Sequence, residues 1–215
     1  MNLSLRTEAL QVSALSAENE GDPVVARALY EEALETAVDP DFRGRVLSNY
    51  ASFLYAHDVQ RAYELCREAA TLGEETRNEL LLANAYHNGA YCLLDLGRPV
   101  EARKAMRENY PRVAATRAAD FLAVFAEDYA SVMQHLGHTR SACVLLGSAR
   151  ALRERSDIAQ APQQRALVDK ARVVLESELG ESARQAWKRG ESLTIGQAVE
   201  MADRLADSDD SSSAD

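Results

Sequence analysis

Small and apolar residues recur along this chain at helical spacing, and turn residues interrupt them at regular intervals. Ala26, Leu29, Tyr30, Ala33, Leu34 and Ala37 form one stripe; Val46, Leu47, Tyr50, Ala51, Phe53 and Leu54 form another. Residues three and four apart share a helix face, so these runs predict amphipathic helices. The pattern gives helices over 3–19, 23–38, 42–56 and, after a tight turn at His57-Asp58, a partner to Leu72, where Gly73 ends it. Further helices are expected over 74–96, 100–110, 116–136 and 138–155, with Pro111 starting a further turn or kinking its helix. Glu20-Gly21-Asp22-Pro23 supplies a helix end, an N-cap and a first helical position in sequence.

The helices repeat. Gly97 is followed by Ala102 and Met106, and Gly137 by Ala142 and Leu146. Ala26, Ala62, Ala102 and Ala142 lie 36, 40 and 40 residues apart. Four residues after each come Tyr30, Cys66, Met106 and Leu146, and three later Ala33, Ala69, Asn109 and Ala149. Small side chains early in each second helix let two helices approach closely, and a larger one a turn later fills the groove beside it. A fixed period of this length predicts stacked helical hairpins. The expected organisation is about four hairpins over 1–157, capping helices over 158–205 (Pro162–Glu178, a short Ser182–Arg189, and Ile195–Leu205 capped by Ser192 or Thr194), and a disordered acidic tail over 206–215.

Gly97…Ala102…Met106, Gly137…Ala142…Leu146…Ala149 and Ala26…Tyr30…Ala33 resemble the tetratricopeptide repeat in a longer-helix form. The resemblance covers residues 3–155 and implies an all-α, right-handed superhelical solenoid. A second one lies in Leu145-Leu146-Gly147-Ser148-Ala149…Leu152-Arg153, then Leu179-Gly180…Ala183…Ala186-Trp187…Gly190…Leu193-Thr194…Ala198-Val199. This order is similar to the C-terminal helical-repeat arm of large bacterial LuxR-type, ATP-binding transcriptional regulators. The sequence contains no G-x-x-x-x-G-K-[ST] phosphate loop, and no basic helix-turn-helix segment follows residue 205. The resemblance therefore implies the sensor or scaffold arm alone.

Charge narrows the partners. The formal net charge is −10, with ten acids against four bases in residues 1–58 and four acids without a base in 206–215. The intervening segments are near neutral, so direct nucleic-acid binding, which needs a basic face, is not expected. No run of about 18 apolar residues and no signal-peptide core is present, which points to a cytoplasmic protein and no membrane partner. Cys66, Cys92 and Cys143 sit in apolar stretches and are expected to pack as small core residues. His135 and His138 flank Gly137 near Cys143, but a helix end between them breaks the common face a metal would need. No metal or cofactor is expected, no catalytic constellation is legible in the spacing, and Trp187 is expected to anchor the cap.

Recognition is the chemistry that remains. If the first helix of each hairpin lines a concave face, three stripes lie on it. Arg45, Ser48, Asn49, Ser52 and Tyr55 form the first, and Asn84, His87, Asn88 and Tyr91 the second. Glu127, Asp128, Ser131 and Gln134 form the third. Asn offers a donor and an acceptor to an extended backbone, and Tyr adds apolar area with little loss of freedom. The alternative role for Asn49, Asn84 and Asn88 is to cap loops or bridge helices. The function expected is non-enzymatic: a scaffold or sensor holding a protein or peptide, uncharged or mildly basic. Two alternatives stand beside it, a receptor for a small molecule or signalling peptide held between solenoid and cap, and a homo-oligomeric assembly module.

Overall fold

The computed structural model describes residues 3–160 and 162–212. Among them are eleven α-helices and no strand, and no helix is long and apolar enough to cross a membrane. The chain divides into two compact units, Met1–Arg98 and Pro99–Asp215, whereas the sequence pattern places its main boundary at 157/158.

The first unit holds α1 (Leu3–Asn19), α2 (Pro23–Thr36), α3 (Pro40–Tyr55), α4 (Val59–Thr76) and α5 (Glu79–Asp95). Short turns make α1 and α2, α3 and α4, and α4 and α5 adjacent partners. Asp22, Asp39, Asp58 and Asn78 each accept a backbone N–H of the helix they precede, which fixes where α2 to α5 begin. Tyr30, Tyr50 and Phe53 stack at the centre, the two tyrosine rings 5.2 Å apart. The buried hydroxyls are satisfied at the edge of this cluster, Tyr30 donating to Glu18 (3.2 Å) and Tyr50 to Glu31 (3.0 Å). Burial, reinforced by Glu31, pushes the Tyr50 phenol up to about 12.

The second unit holds α6 (Pro99–Thr116), α7 (Ala119–His135), α8 (Thr139–Ser156), α9 (Pro162–Leu179), α10 (Glu181–Glu191) and α11 (Ile195–Ser212). Here α8 is the axis. Every residue from Ser141 to Ala149 is buried, because α7, α9, α10 and α11 all pack against it. Gly147 on α8 and Gly190 on α10 form the closest crossing. A Cβ on Gly147 would collide with the Trp187 carbonyl, and one on Gly190 with the Val144 carbonyl. Thr194 caps α11 through a reciprocal box with Gln197: Gln197 N–H donates to Thr194 Oγ1 (3.3 Å), and Thr194 N–H to Gln197 Oε1 (3.0 Å).

All four recurrent alanines are buried, none more than 1 % exposed, and Tyr30, Cys66, Met106 and Leu146 a turn later are buried to within 3 %. The turns before them share a mechanism as well. Gly21, Gly97 and Gly137, each five residues ahead of its alanine, adopt φ of 78°, 69° and 80°. In each, the next N–H reaches back five residues to a carbonyl (Asp22 to Ala17, Arg98 to Leu93, His138 to Met133), a left-handed helix end that favours glycine. His57 occupies the same place before Ala62, but there Asp58 N–H bonds only four residues back, to Leu54.

Three sequence expectations change. Gly73 does not end its helix: α4 continues to Thr76, Arg77 takes the left-handed position, and Gly73 is buried where a Cβ would press 2.8 Å from Leu82 Cγ. Pro111 lies within α6, which runs unbroken to Thr116. The expected tail is helical through Ser212; its residues 213–215 lie outside the described residues. Two of its acids, Asp207 and Asp210, meet bases of the same unit. Arg103, 12 % exposed at its side chain, pairs with Asp207 (2.6 Å), Asp210 (3.4 Å) and Asp203 (3.5 Å). The buried His138 imidazole lies 3.4 Å from Asp210, Tyr129 donates to Asp203 (2.5 Å), and Ser141 to the Ala202 carbonyl (2.7 Å).

These contacts make three predictions. Gly190→Ala should cost about 3 kcal/mol in urea unfolding followed by Trp187 fluorescence, because the methyl meets backbone rather than a movable side chain. Gly89→Ala, whose Cβ would sit at an ordinary 3.6 Å from Cys66 Cβ, should be neutral or stabilise by about 0.5–1 kcal/mol. Equal losses from both would contradict the crossing. In hydrogen exchange, Arg103→Ala should speed residues 207–212 while leaving 195–203, anchored by Ala198 and Ala202, protected.

Candidate functional site

In the first unit, α4 lies behind α3 and α5 and holds them side by side, burying Ala62, Leu65, Cys66 and Ala69. Gly44 lets the two come close, since a Cβ there would collide with the Leu81 side chain. Both carry their polar stripes along one shallow groove. Its larger hollow, about 610 Å³, is lined by Arg45, Ser48 and Asn49 from α3 and Asn84 from α5, with Asp39, Asp41, Phe42, Asn78, Leu80 and Leu81 around its end. A smaller one, about 190 Å³, is lined by Ala51, Ser52, Tyr55, Asn88, Tyr91 and Cys92. Eight of the nine residues assigned to these two stripes from sequence thus line the groove. The ninth, His87, is half-buried beside it with its ring edge-on to Tyr91 at 5.4 Å.

The three asparagines divide. Asn88 bridges, donating to Ser52 Oγ at 3.4 Å in the wall of the small hollow. Asn49 and Asn84 make no side-chain hydrogen bond among the described residues, and both line the large hollow. Capping falls to Asn78, which accepts from Leu81 N–H and donates to Asp41 (3.1 Å). Ser48 Oγ is buried without a partner. Arg45 stacks over Phe42, 4.2 Å from the ring centre. Tyr55 hydrogen-bonds Asp95; burial, then Asp95, holds its phenol well above the usual range. With Asp39 and Asp41 at one end and a single base, the groove carries negative charge.

Below the small hollow, the buried thiols of Cys66 and Cys92 form a hydrogen-bonded pair between α4 and α5. Cys66 is held protonated by Cys92 and by burial, while Cys92 is lowered by the same bond. Cys143, on α8, is pushed up to about 11 by burial, with Glu176 and Glu178 adding to it. His135 is exposed and turns its Nδ1 to the Ser131 carbonyl (2.8 Å), while His138 is buried near Asp210, so the two imidazoles serve different neighbours.

The third stripe is placed differently. Glu127 and Asp128 are buried, 6 % and 3 % exposed, and Ser131 and Gln134 are half-buried. Neither acid stands on an open helix face, and Glu127 is covered by Arg153 of α8. Glu127 accepts Arg153 in a two-pronged pair, Nε at 2.8 Å and Nη2 at 3.1 Å, and the Gln160 amide at 3.0 Å. This pair forms part of the wall of a second recess, about 480 Å³, bounded by α8, the 157–160 loop, α9 and α10. Arg150, Arg165, Arg172 and Trp187 also line it. Trp187, expected only to anchor the cap, is half-buried there. Its indole donates to Glu191 (3.1 Å), and Arg172 lies 5.8 Å from its ring centre.

No single helix stripe marks this recess in the sequence, because its lining comes from several elements at once. Arg150, Arg153 and Asp157 follow i, i+3, i+7 spacing on the last turns of α8 and its cap, which was the available signal. No family model and no curated protein sequence matches the chain.

The buried pair makes a direct prediction. Arg153→Met should destabilise the second unit by about 3–5 kcal/mol, since Glu127 keeps its charge without its main partner. The double substitution Glu127→Leu with Arg153→Met should recover most of that loss. Urea titration of both variants checks it, and a single substitution as mild as the double would show that the pair is not the buried interaction described.

Proposed function

We propose that the first unit is a peptide-recognition module whose α3–α5 groove takes an extended, neutral or basic segment of a partner protein. The chain then acts without catalysis, as a scaffold or sensor arm in bacterial transcriptional or signalling regulation. Its hairpins stack in the right-handed, superhelical manner of tetratricopeptide repeats. The fold part is supported by the buried alanines at one period and by the shared glycine turns. The regulatory setting rests on the likeness of residues 145–199 to the arm of LuxR-type regulators, whose Gly147 and Gly190 counterparts here sit at the α8–α10 crossing.

The observation that carries the binding assignment is the pair of unengaged amides, Asn49 and Asn84, in one hollow. Each offers an N–H₂ donor and a carbonyl acceptor, the pairing an extended peptide backbone needs. They do not bridge α3 to α5, because Asn88 and Asn78 already perform the bridging and capping roles. The bridge and the cap keep the groove in one shape before a ligand arrives, which lowers the ordering cost of binding. Asp39 and Asp41 at the rim set the preference against acidic segments.

An array of extended peptides differing in charge tests this. Neutral and basic sequences should bind and acidic ones should not. Asn49→Ala with Asn84→Ala should weaken binding at least about tenfold, the loss of one to two hydrogen bonds, with the melting temperature nearly unchanged. Binding that survives the double change would remove the groove from the function. If the chain instead elutes as a dimer that this double change makes monomeric, the groove's occupant is a second copy.

A further inference from the structure

We propose that the recess in the second unit is a separate binding site for a small zwitterion, an amino acid or short peptide with free amino and carboxylate ends. The recess has the volume of a small-molecule site, about 480 Å³ against roughly 300–1,000 Å³ for such sites in general. Its charges fall into two sets. Arg150 is spent on Glu154 (2.8 Å) and Glu191 (3.6 Å), and Arg172 on Glu176 (3.3 Å). Arg153 gives Nε and Nη2 to Glu127, which leaves Nη1 as a donor.

Arg165, Asp157 and Asp169 line the same space, and no ion pair engages them among the described residues. The unspent groups are therefore of both signs: a guanidinium and a spare guanidinium edge for an anion, two carboxylates for a cation. A ligand with only one charge would satisfy one set and leave the other facing it. A zwitterion satisfies both, and charge-assisted hydrogen bonds of this kind are about twice as strong as neutral ones. Leu146, Val168 and Ile158 supply apolar lining for a short aliphatic body.

The buried Arg153–Glu127 pair supports a site rather than a stability role. Packed apolar residues in its place would cost the fold little or nothing, so the pair's presence calls for another use. A guanidinium held in position by a carboxylate is already oriented for an incoming acceptor, as recognition of a carboxylate requires.

Trp187 is the only tryptophan in the chain and lines the recess, so its emission reports occupancy directly. The wild-type chain is titrated with a panel of leucyl dipeptides, then with the same dipeptides N-acetylated or C-amidated. The free dipeptides should give a saturable change, and blocking either end should weaken it at least about tenfold, the loss of one charge-assisted contact. Arg165→Gln and Asp169→Asn, both at exposed positions of α9, should each weaken binding by a similar factor at unchanged helicity. The titration is independent of the α3–α5 groove, because Asn49→Ala with Asn84→Ala should leave it unaltered. The site assignment is overturned if no dipeptide gives a saturable change or if the α9 variants bind as wild type does. Blocked forms that bind as well as free ones would overturn the zwitterion and leave a ligand of one charge.

Discussion

The fold rests on how closely two helices can lie. Where one helix meets the next, the chain places alanine or glycine, and the surrounding side chains close over the contact. Ala26, Ala62, Ala102 and Ala142 are all buried, as is the residue one turn later, and on α2, α4 and α8 the small side chain lets the preceding helix lie close. At Gly147 and Gly190 the separation falls further, until backbone meets backbone and even a methyl has no room. Gly44 and Gly73 make room instead for the side chains of Leu81 and Leu82, so α5 is drawn onto both α3 and α4. The groove inherits its width from these contacts.

The two units place their polar groups differently. In the first, the core is an aromatic stack whose hydroxyls reach carboxylates at the edge, and the amides of the α3–α5 face stay outside it. In the second, charge enters the interior. Arg153 and Glu127 are buried together, and Arg103 gathers three aspartates along α11. Buried charge is expensive unless matched, and Glu127 and Arg153 match in geometry as well as sign. The acidic end of the described chain is therefore not a solvated tail. Its helix is fixed by a base a hundred residues away in sequence.

That distance explains what could be seen beforehand. Local signals were legible: the 3.6-residue rhythm, the Asp and Asn caps, the glycine turns at Gly97 and Gly137, and the period of buried alanines. Two stripes of the candidate groove were legible too, because each is a run on one helix face. What local reasoning missed depends on residues far apart. Residues 206–212 look disordered by composition, yet buried Ala206 and the contacts of Arg103 and His138 with Asp207 and Asp210 tie them down. Glu127 and Asp128 look like solvated acids by local pattern, yet both are buried, Glu127 against Arg153 of α8. Gly73 reads as a helix end, since glycine signals both a left-handed cap and a close approach, and only the presence of Leu82 decides between them. The recess in the second unit needs α8, a loop, α9 and α10 at once, so no single periodicity announces it.

An amide that could have closed a helix end or joined two helices, and does neither, is an unusual use of a groove position. Asn78 shows what the alternative looks like, with its oxygen on Leu81 N–H and its nitrogen on Asp41. Asn88 shows a second form, spanning to Ser52. Asn49 and Asn84 line the same groove with neither commitment. In water such an amide gains little over serine or glutamate for the stability of its helix, and asparagine is a poor helix former. Its presence at two facing positions therefore acts against local helix preference without return from packing. Departures from local preference of this kind concentrate where function requires them. The amides become useful only when a backbone or a similar string of donors and acceptors lies between them, and that is the physical basis for assigning the groove to recognition.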